Sequence, residues 1–323
     1  MRTLKFLLSN QLKSSKVVQP VSGFTLIELL VAMLIAFLVI TPLLGFMVNI
    51  LATDRQEQAK ANSEQEIQSA LDYISRDLQQ ALYIYDAEGI DAIKDELPSP
   101  TATDRVPVLV FWKRELIQGA IPVGGGEDDT FVYSLVAYYL VKDSNTTWSN
   151  AARITRWQIR DGVEDNTASG VSCLGYSNKY VSGYCPSGGF APFNLDVVGS
   201  IHDKMKAWKR LRQYTDADDV VTDVSYSDSP QVLVDFIDQT ITNDAPPKAC
   251  TSTIPDSLNT RNTAKMTGFY ACVEADKITA QVFLRGNALA RLQSNNLDYN
   301  ESKRTYYPTT STQVQGRSFL FTR

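Results

Sequence analysis

A single carboxylate, Glu28, lies near the start of an apolar run that extends from Phe24 to Val48. A charged side chain within a membrane-spanning helix costs about 3 kcal/mol on insertion scales, so such residues persist where they have a partner. A second interpretation is that Glu28 lies at the level of the lipid headgroups and extends toward water. The first interpretation therefore predicts a cation that pairs with Glu28.

The run that holds Glu28 has the length and flanks of a membrane anchor. About 20 apolar residues cross a bilayer, and the basic residues that precede the run predict a cytoplasmic N-terminus. An ordinary secretory signal has a shorter apolar core, of about 7–15 residues, with its small-residue cleavage site after that core. Here the small residue, Gly23, comes first, so cleavage at Gly23 would keep the run as a new N-terminus. The basic residues are Arg2, Lys5, Lys13 and Lys16.

The stretch GFTLIELL, which begins at Gly23, resembles the processing site of type IV prepilins and type II secretion pseudopilins. The order of basic leader, glycine, phenylalanine, glutamate and long apolar run carries this resemblance. It implies that a prepilin peptidase cleaves after Gly23 and that the new N-terminus, Phe24, is methylated. It also implies that Glu28, as the fifth residue of the mature chain, acts in assembly.

The resemblance agrees with the electrostatics of Glu28. Cleavage after Gly23 would create a positive α-amino group on Phe24. The Glu28 of a neighbouring subunit could neutralise this amine when anchors pack side by side with a stagger. Within one chain the two groups are about one helical turn apart, so they could also pair in cis.

Pro42 interrupts the apolar run at a position where an α-helix needs a backbone donor. Proline removes one hydrogen bond of the helix and clashes with the preceding turn. We therefore expect a kink or a locally melted turn near residues 38–45.

Beyond the anchor, an apolar stripe with spacings of three and four residues predicts that the helix continues to about Tyr83. Its end, YISRDLQQALYIYD, resembles that of J-type pseudopilins and W-type minor pilins. The predicted organisation is a leader at 1–23, a transmembrane or filament-core helix at 24–50, an amphipathic periplasmic half at 51–86 and a globular domain at 87–323. The stripe consists of Ile67, Leu71, Ile74, Leu78 and Leu82.

After the helix, short β-prone runs alternate with turn formers. They lie at 106–112, 130–141, 152–160, 231–237, 268–275 and 277–285. The second and third runs are expected to form a hairpin. A helix followed by strands predicts an α+β fold, pilin-like, with a long helix on an antiparallel sheet. Segments 161–230 and 238–265 are rich in turn-forming residues and are predicted to be long loops, and the apolar end at 319–321 is predicted to dock as an edge strand.

Four cysteines lie beyond the anchor, without the C-x-x-C spacing of a zinc site. The simplest of three connectivities is two local disulfides, Cys173–Cys185 and Cys250–Cys272, which would pin the loops in an oxidising periplasm. Four free thiols are the alternative.

Other candidates for chemistry are weak. His202 is the only histidine, and no nucleophile motif of a hydrolase accompanies it. The glycines of VGGGEDD precede a strand, so they indicate a turn and no phosphate loop. Asp216, Asp218 and Asp219 offer oxygen ligands for calcium without the spacing of an EF-hand. No other cofactor is expected. A net charge of -5 argues against a nucleic-acid partner.

The resemblance implies a minor pseudopilin of the J-type, a structural subunit and no enzyme. Its expected partners are prepilin peptidase, other minor and major pseudopilins, the inner-membrane assembly platform and the lipid bilayer. The segment FLRGNALARL is similar to one in cyanobacterial pseudopilins of hormogonium polysaccharide secretion, which adds polysaccharide export or gliding motility as roles. A pilus-tip adhesin or a pilin that binds DNA or sugar is the alternative, and a tethered periplasmic hydrolase is a third class.

Overall fold

The computed structural model describes residues 23–165, 167–215, 219–241 and 266–317. The chain divides into an N-terminal unit, Met1–Asp54, and a C-terminal unit, Arg55–Arg323. One helix, α1, extends from Leu26 to Gln79 and contributes residues to both units.

The part of α1 in the C-terminal unit buries four of the five residues of the predicted apolar stripe, and the fifth, Leu82, is buried in the strand that follows. Ile67, Leu71, Ile74 and Leu78 are at most 1% exposed. The helix ends at Gln79, however, so its predicted end near Tyr83 is wrong. The next residues, Ala81–Ile84, form a strand, β1. All four side chains of this β-prone stretch are buried, and its backbone pairs with the strand β2.

A five-stranded antiparallel sheet, in the order β1-β2-β3-β4-β9, forms the centre of the C-terminal unit. The predicted hairpin of the second and third runs is present, because β3 pairs with β4. The strand β2, at Arg105–Val123, is much longer than its predicted run at 106–112. A tight turn at 124–125 joins it to β3, as predicted for VGGGEDD. The four strands that follow β1 in this sheet are β2 at Arg105–Val123, β3 at Gly126–Val141, β4 at Ala152–Arg160 and β9 at Gln231–Ile237.

A second antiparallel sheet has the order β10-β11-β12. The sequence did not predict its last strand, because TTSTQVQ is polar. This stretch is a strand because its backbone pairs with β11 and its Val314 side chain is buried in the core. The predicted edge strand at 319–321 lies outside the described residues. The strands are β10 at Phe269–Glu274, β11 at Thr279–Arg285 and β12 at Thr309–Gln315.

Both faces of the five-stranded sheet are covered. One core contains the α1 stripe together with side chains of both sheets, for example Phe111, Ile154 and Val282. The other core lies beneath the segment 161–230, which contributes Phe190 and Trp208. The α+β, pilin-like fold that the sequence predicted is confirmed: a long helix on antiparallel sheet.

The segment 161–230 is mostly irregular, as predicted, with short elements inside it. Cys173 and Cys185 form a disulfide there. A short helix, α3, begins after Ser200, whose side chain caps its N-terminus. The helix α2 lies before this segment. The elements are α2 at Ala87–Ile93, β5 at Val171–Ser172, β6 at Lys179–Tyr180, α3 at Ile201–Lys206, β7 at Gln213–Thr215 and β8 at Val221–Asp223.

Candidate processing and assembly site

The start of α1 is organised by a reciprocal pair of hydrogen bonds between Thr25 and Glu28. The backbone N–H and the hydroxyl of Thr25 donate to Oε2 of Glu28 at 3.0 and 2.9 Å. The backbone N–H of Glu28 donates to Oγ1 of Thr25 at 3.3 Å. This is a capping box, which satisfies backbone donors that have no partner within a helix.

The capping box gives Glu28 a local partner, Thr25, in addition to the cation that the sequence predicted. The signal was present, because a threonine three residues before a glutamate ahead of an apolar run predicts this cap. The box occupies one carboxylate oxygen, Oε2, whereas Oε1 has no hydrogen-bond partner in the described part of the chain. Glu28 can thus cap its own helix and still accept a bond from another group.

Gly23 and Phe24 precede the helix in a non-helical conformation. The side chain of Phe24 is 83% exposed, and a Cβ added to Gly23 would meet no atom within 4 Å. The peptide bond between Gly23 and Phe24 therefore lies in an accessible segment, just before the first helical residue.

In the N-terminal unit, α1 carries apolar side chains on every side. All large apolar side chains from Phe24 to Leu51 are exposed in the isolated chain. A helix that is hydrophobic all round needs an apolar environment, such as lipid or the packed helices of neighbours. Among the described residues, α1 is the one helix long and apolar enough to cross a membrane.

Pro42 lies within α1, and the helix is continuous on both sides of it. The expected melted turn is absent. The hydroxyl of Thr41 donates to the carbonyl of Phe37 at 2.8 Å, a back-bond of the kind that often bends helices. A kink at Pro42 stays a prediction.

A buried ion cluster fixes the second part of α1 to the five-stranded sheet. Asp77 is 6% exposed. Its Oδ1 accepts from Nζ of Lys113 at 2.8 Å, and its Oδ2 accepts from the hydroxyl of Tyr138 and Nε of Arg156, both at 2.7 Å. One helix carboxylate thus contacts three successive strands. Asp77 follows Ile74 by three residues, a position on the buried stripe that could have indicated an internal partner.

The single histidine of the sequence joins three segments. Nδ1 of His202 lies 2.9 Å from the hydroxyl of Tyr83, and Nε2 lies 2.7 Å from Oδ1 of Asp276. Burial is the main cause that raises the pKa of Tyr83 above its ordinary value, so this hydroxyl stays protonated. His202 links β1, α3 and the turn between β10 and β11.

Most of the remaining predicted site residues lie outside the described part of the chain. Cys250 lies outside the described residues, so the pairing Cys250–Cys272 stays a prediction. Asp216 and Asp218 also lie outside them, and the backbone of Asp219 has a φ of 60°. The calcium site stays a prediction. In the described ranges, no group of three or more His, Cys, Asp or Glu side chains is placed to hold a metal.

Together, the capped apolar helix and the antiparallel sheet define a pilin-like protein with an N-terminal anchor. Residues 20–44 match the family model of the prokaryotic N-terminal methylation motif. The match supports a type IV pilin-like protein or pseudopilin that prepilin peptidase processes and that assembles with other pilins. No curated protein and no solved structure matches the chain significantly.

Proposed function

We propose that this chain is a minor pseudopilin of the J-type, a structural subunit without catalytic activity of its own. It joins a type IV pilus-like or type II secretion-like fibre that supports secretion, of polysaccharide for example, or gliding motility. The observation that carries this proposal is the methylation motif at residues 20–44, which contains Gly23, Phe24 and Glu28.

The proposed route follows from the anchor. The chain inserts with its N-terminus in the cytoplasm and its C-terminal unit in the periplasm. Prepilin peptidase cleaves after Gly23, and the amine of Phe24 is methylated. The inner-membrane assembly platform then transfers the subunit from the bilayer into the fibre.

Assembly uses the free oxygen of Glu28. The amine of Phe24 in one subunit pairs with Oε1 of Glu28 in its neighbour, while Oε2 keeps the cap on its own helix. Pairing removes the cost of a lone charge among apolar side chains, and the exposed apolar surface of α1 is buried between helices.

The size of the C-terminal unit favours a place at or near the tip of the fibre. The described residues of Arg55–Arg323 form a five-stranded sheet, a three-stranded sheet and two two-stranded sheets. Such a bulky unit would crowd a tightly repeating helical shaft, whereas a tip holds few copies.

Mass spectrometry of the protein from its native host tests the proposal. The mature chain is expected to begin at a methylated Phe24, and cross-linking is expected to capture other proteins with prepilin-type N-termini. A mature chain that still carries its first 23 residues contradicts the proposal. Correct processing without any such neighbour, from a protein that stays in the membrane, contradicts the fibre role.

A further inference from the structure

A cleft of about 890 Å³ lies in the C-terminal unit between α1 and β9. We call it the Trp148 cleft. Tyr73 of α1 and Trp148 of the β3–β4 loop line it, and they keep 43% and 40% of their surface exposed. A second cleft, of about 540 Å³, shares Tyr73, Val232 and Leu233 with it, so the depression continues along the strand. Both are depressions open to solvent, not enclosed cavities.

The wall of the Trp148 cleft is an irregular strand. Two extra residues interrupt the pairing of β9 with β4, one between Val232 and Val234 and one between Val234 and Ile237. Phe236, in the second irregularity, has a φ of 57°, which is unfavourable for a bulky side chain. Bulges redirect side chains at sheet edges, and retained strain is concentrated at binding sites. The five residues Val232–Phe236 accordingly all line the cleft.

The loop that carries Trp148 is fixed at the residue that follows it. The next residue, Ser149, donates from its backbone N–H and from its hydroxyl to the two carboxylate oxygens of Asp235, each at 2.8 Å. Asp235 lies in the irregular part of β9. An exposed tryptophan on a pinned loop loses little conformational freedom when a ligand covers it, and tryptophan and tyrosine are enriched where binding energy is concentrated.

Most charged groups of the cleft have partners within the protein, and so do the hydroxyls of Ser69 and Ser149, whereas two side-chain amides have none among the described residues. Glu66 pairs with Arg291, whose guanidinium carbon lies 4.0 Å from the centre of the Phe236 ring. The side-chain amides of Asn62 and Gln65 have no partner in the part of the chain that the structure describes. The exception is Arg76, which donates to the main-chain oxygen of Asp72 at 3.3 Å and pairs with no carboxylate there.

We infer that the Trp148 cleft binds an oligosaccharide segment. The apolar faces of sugar rings would stack on Trp148 and Tyr73, and free amides would bond with hydroxyls, since an amide both donates and accepts. Polar residues recur along α1 at each turn, about 5.4 Å apart, close to the length of one pyranose unit. A peptide strand fits less well, because the bulged edge of β9 offers no regular ladder. This inference goes beyond the fibre role and does not depend on it.

Tryptophan fluorescence of the full-length chain tests the inference. The other three tryptophans, Trp112, Trp157 and Trp208, are at most 2% exposed, so acrylamide quenches chiefly Trp148. The probes are hexasaccharides of glucose, of mannose and of galacturonic acid, with the protein in a detergent that has no sugar headgroup. Binding is expected to lower the quenchable fraction, and Trp148→Ala is expected to weaken hexasaccharide binding measured by calorimetry, a readout that does not use the fluorescence of Trp148. A preference for the uronate that Arg76→Gln removes would place an acidic sugar beside Arg76.

A matched pair of tyrosine variants locates the site. Tyr73→Ala is expected to weaken binding about tenfold. Tyr133→Ala removes a tyrosine of nearly equal exposure, 39%, outside the cleft, and is expected to leave binding unchanged. The inference is overturned if folded protein shows no protection by any hexasaccharide, or if the two variants weaken binding equally. Protection of Trp148 by a partner protein alone, with no effect of the sugars, also overturns it and assigns the cleft to that protein.

Discussion

The carboxylate of Asp77 lies 2.7 Å from Nε of Arg156, although 79 residues separate them in the chain. Lys113 contacts the other oxygen of the same carboxylate. The cluster therefore connects the helix that carries the anchor to the sheet that forms the core of the C-terminal unit. A buried ion cluster of this kind favours one register of the helix on the sheet.

Removal of the Asp77 carboxylate should destabilise the C-terminal unit strongly. Asp77→Ala leaves Lys113 and Arg156 buried without a counter-charge, and such a change typically costs about 3–5 kcal/mol. Chemical denaturation followed by circular dichroism measures the loss. Asp72→Ala is the matched control, because Asp72 is on the exposed side of the same helix and is expected to change stability by less than about 0.5 kcal/mol. Equal losses for the two variants would contradict the role of the cluster.

The same carboxylate should make stability depend on acidic pH. Burial acts to raise the pKa of Asp77, but the hydrogen bonds and charges of Arg156 and Lys113 outweigh it, and the pKa is lower than its ordinary 3.8. A lowered folded pKa contributes stability above the unfolded pKa, and that stability is lost as the pH falls through the folded value. The free energy of unfolding should therefore decrease below about pH 4.

Asp77→Asn separates this effect from that of other carboxylates. The variant has no charge to titrate, so its stability should change less steeply below about pH 4 than that of the unchanged protein. Parallel pH profiles for the two proteins would show that Asp77 does not contribute. Both profiles are measured by urea denaturation at a series of pH values.

Glu28 combines a local role and a proposed role in assembly, and three variants distinguish them. Glu28→Gln can keep the capping box, because glutamine serves in the same position, but it removes the charge. Thr25→Ala removes the threonine cap, at a cost of about 1 kcal/mol, and keeps the charge. Glu28→Ala removes the charge and the bonds that the carboxylate accepts from Thr25, and it leaves the bond from the backbone N–H of residue 28 to Oγ1 of Thr25.

If charge pairing drives assembly, Glu28→Gln and Glu28→Ala should both be processed yet excluded from the fibre, whereas Thr25→Ala should assemble. Immunoblots of isolated fibres and of the membrane fraction measure this. Assembly of Glu28→Gln at the normal level would contradict the ion pair and leave capping as the function of Glu28.

The disulfide between Cys173 and Cys185 should stabilise the segment 161–230, which covers the core that contains Phe190 and Trp208. It closes a loop with a sequence separation of 12, for which the entropic model gives about 3 kcal/mol. Cys173→Ser with Cys185→Ser should lower the melting temperature and increase proteolysis within 161–187. An unchanged melting temperature and cleavage pattern would show that Val163, Val181 and their neighbours hold this segment without the bridge.

The sequence alone predicted the features that depend on neighbours along the chain. The apolar run, the buried stripe of α1 and the hairpin of β3 and β4 follow from composition or from periodicity, and the roles of Gly23, Phe24 and Glu28 are what the prepilin resemblance implies. The Thr25–Glu28 cap was equally local and was available from its spacing. These features need no distant contact to be specified.

The tertiary structure decided the features that depend on residues far apart. The partners of Asp77 come from three strands, and the end of α1 at Gln79 follows from the pairing of Ala81–Ile84 with β2, which a local helical stripe cannot reveal. The polar strand β12 exists because β11 offers its edge. The Trp148 cleft likewise requires a helix, a loop and a bulged strand to meet, and only the folded chain brings them together.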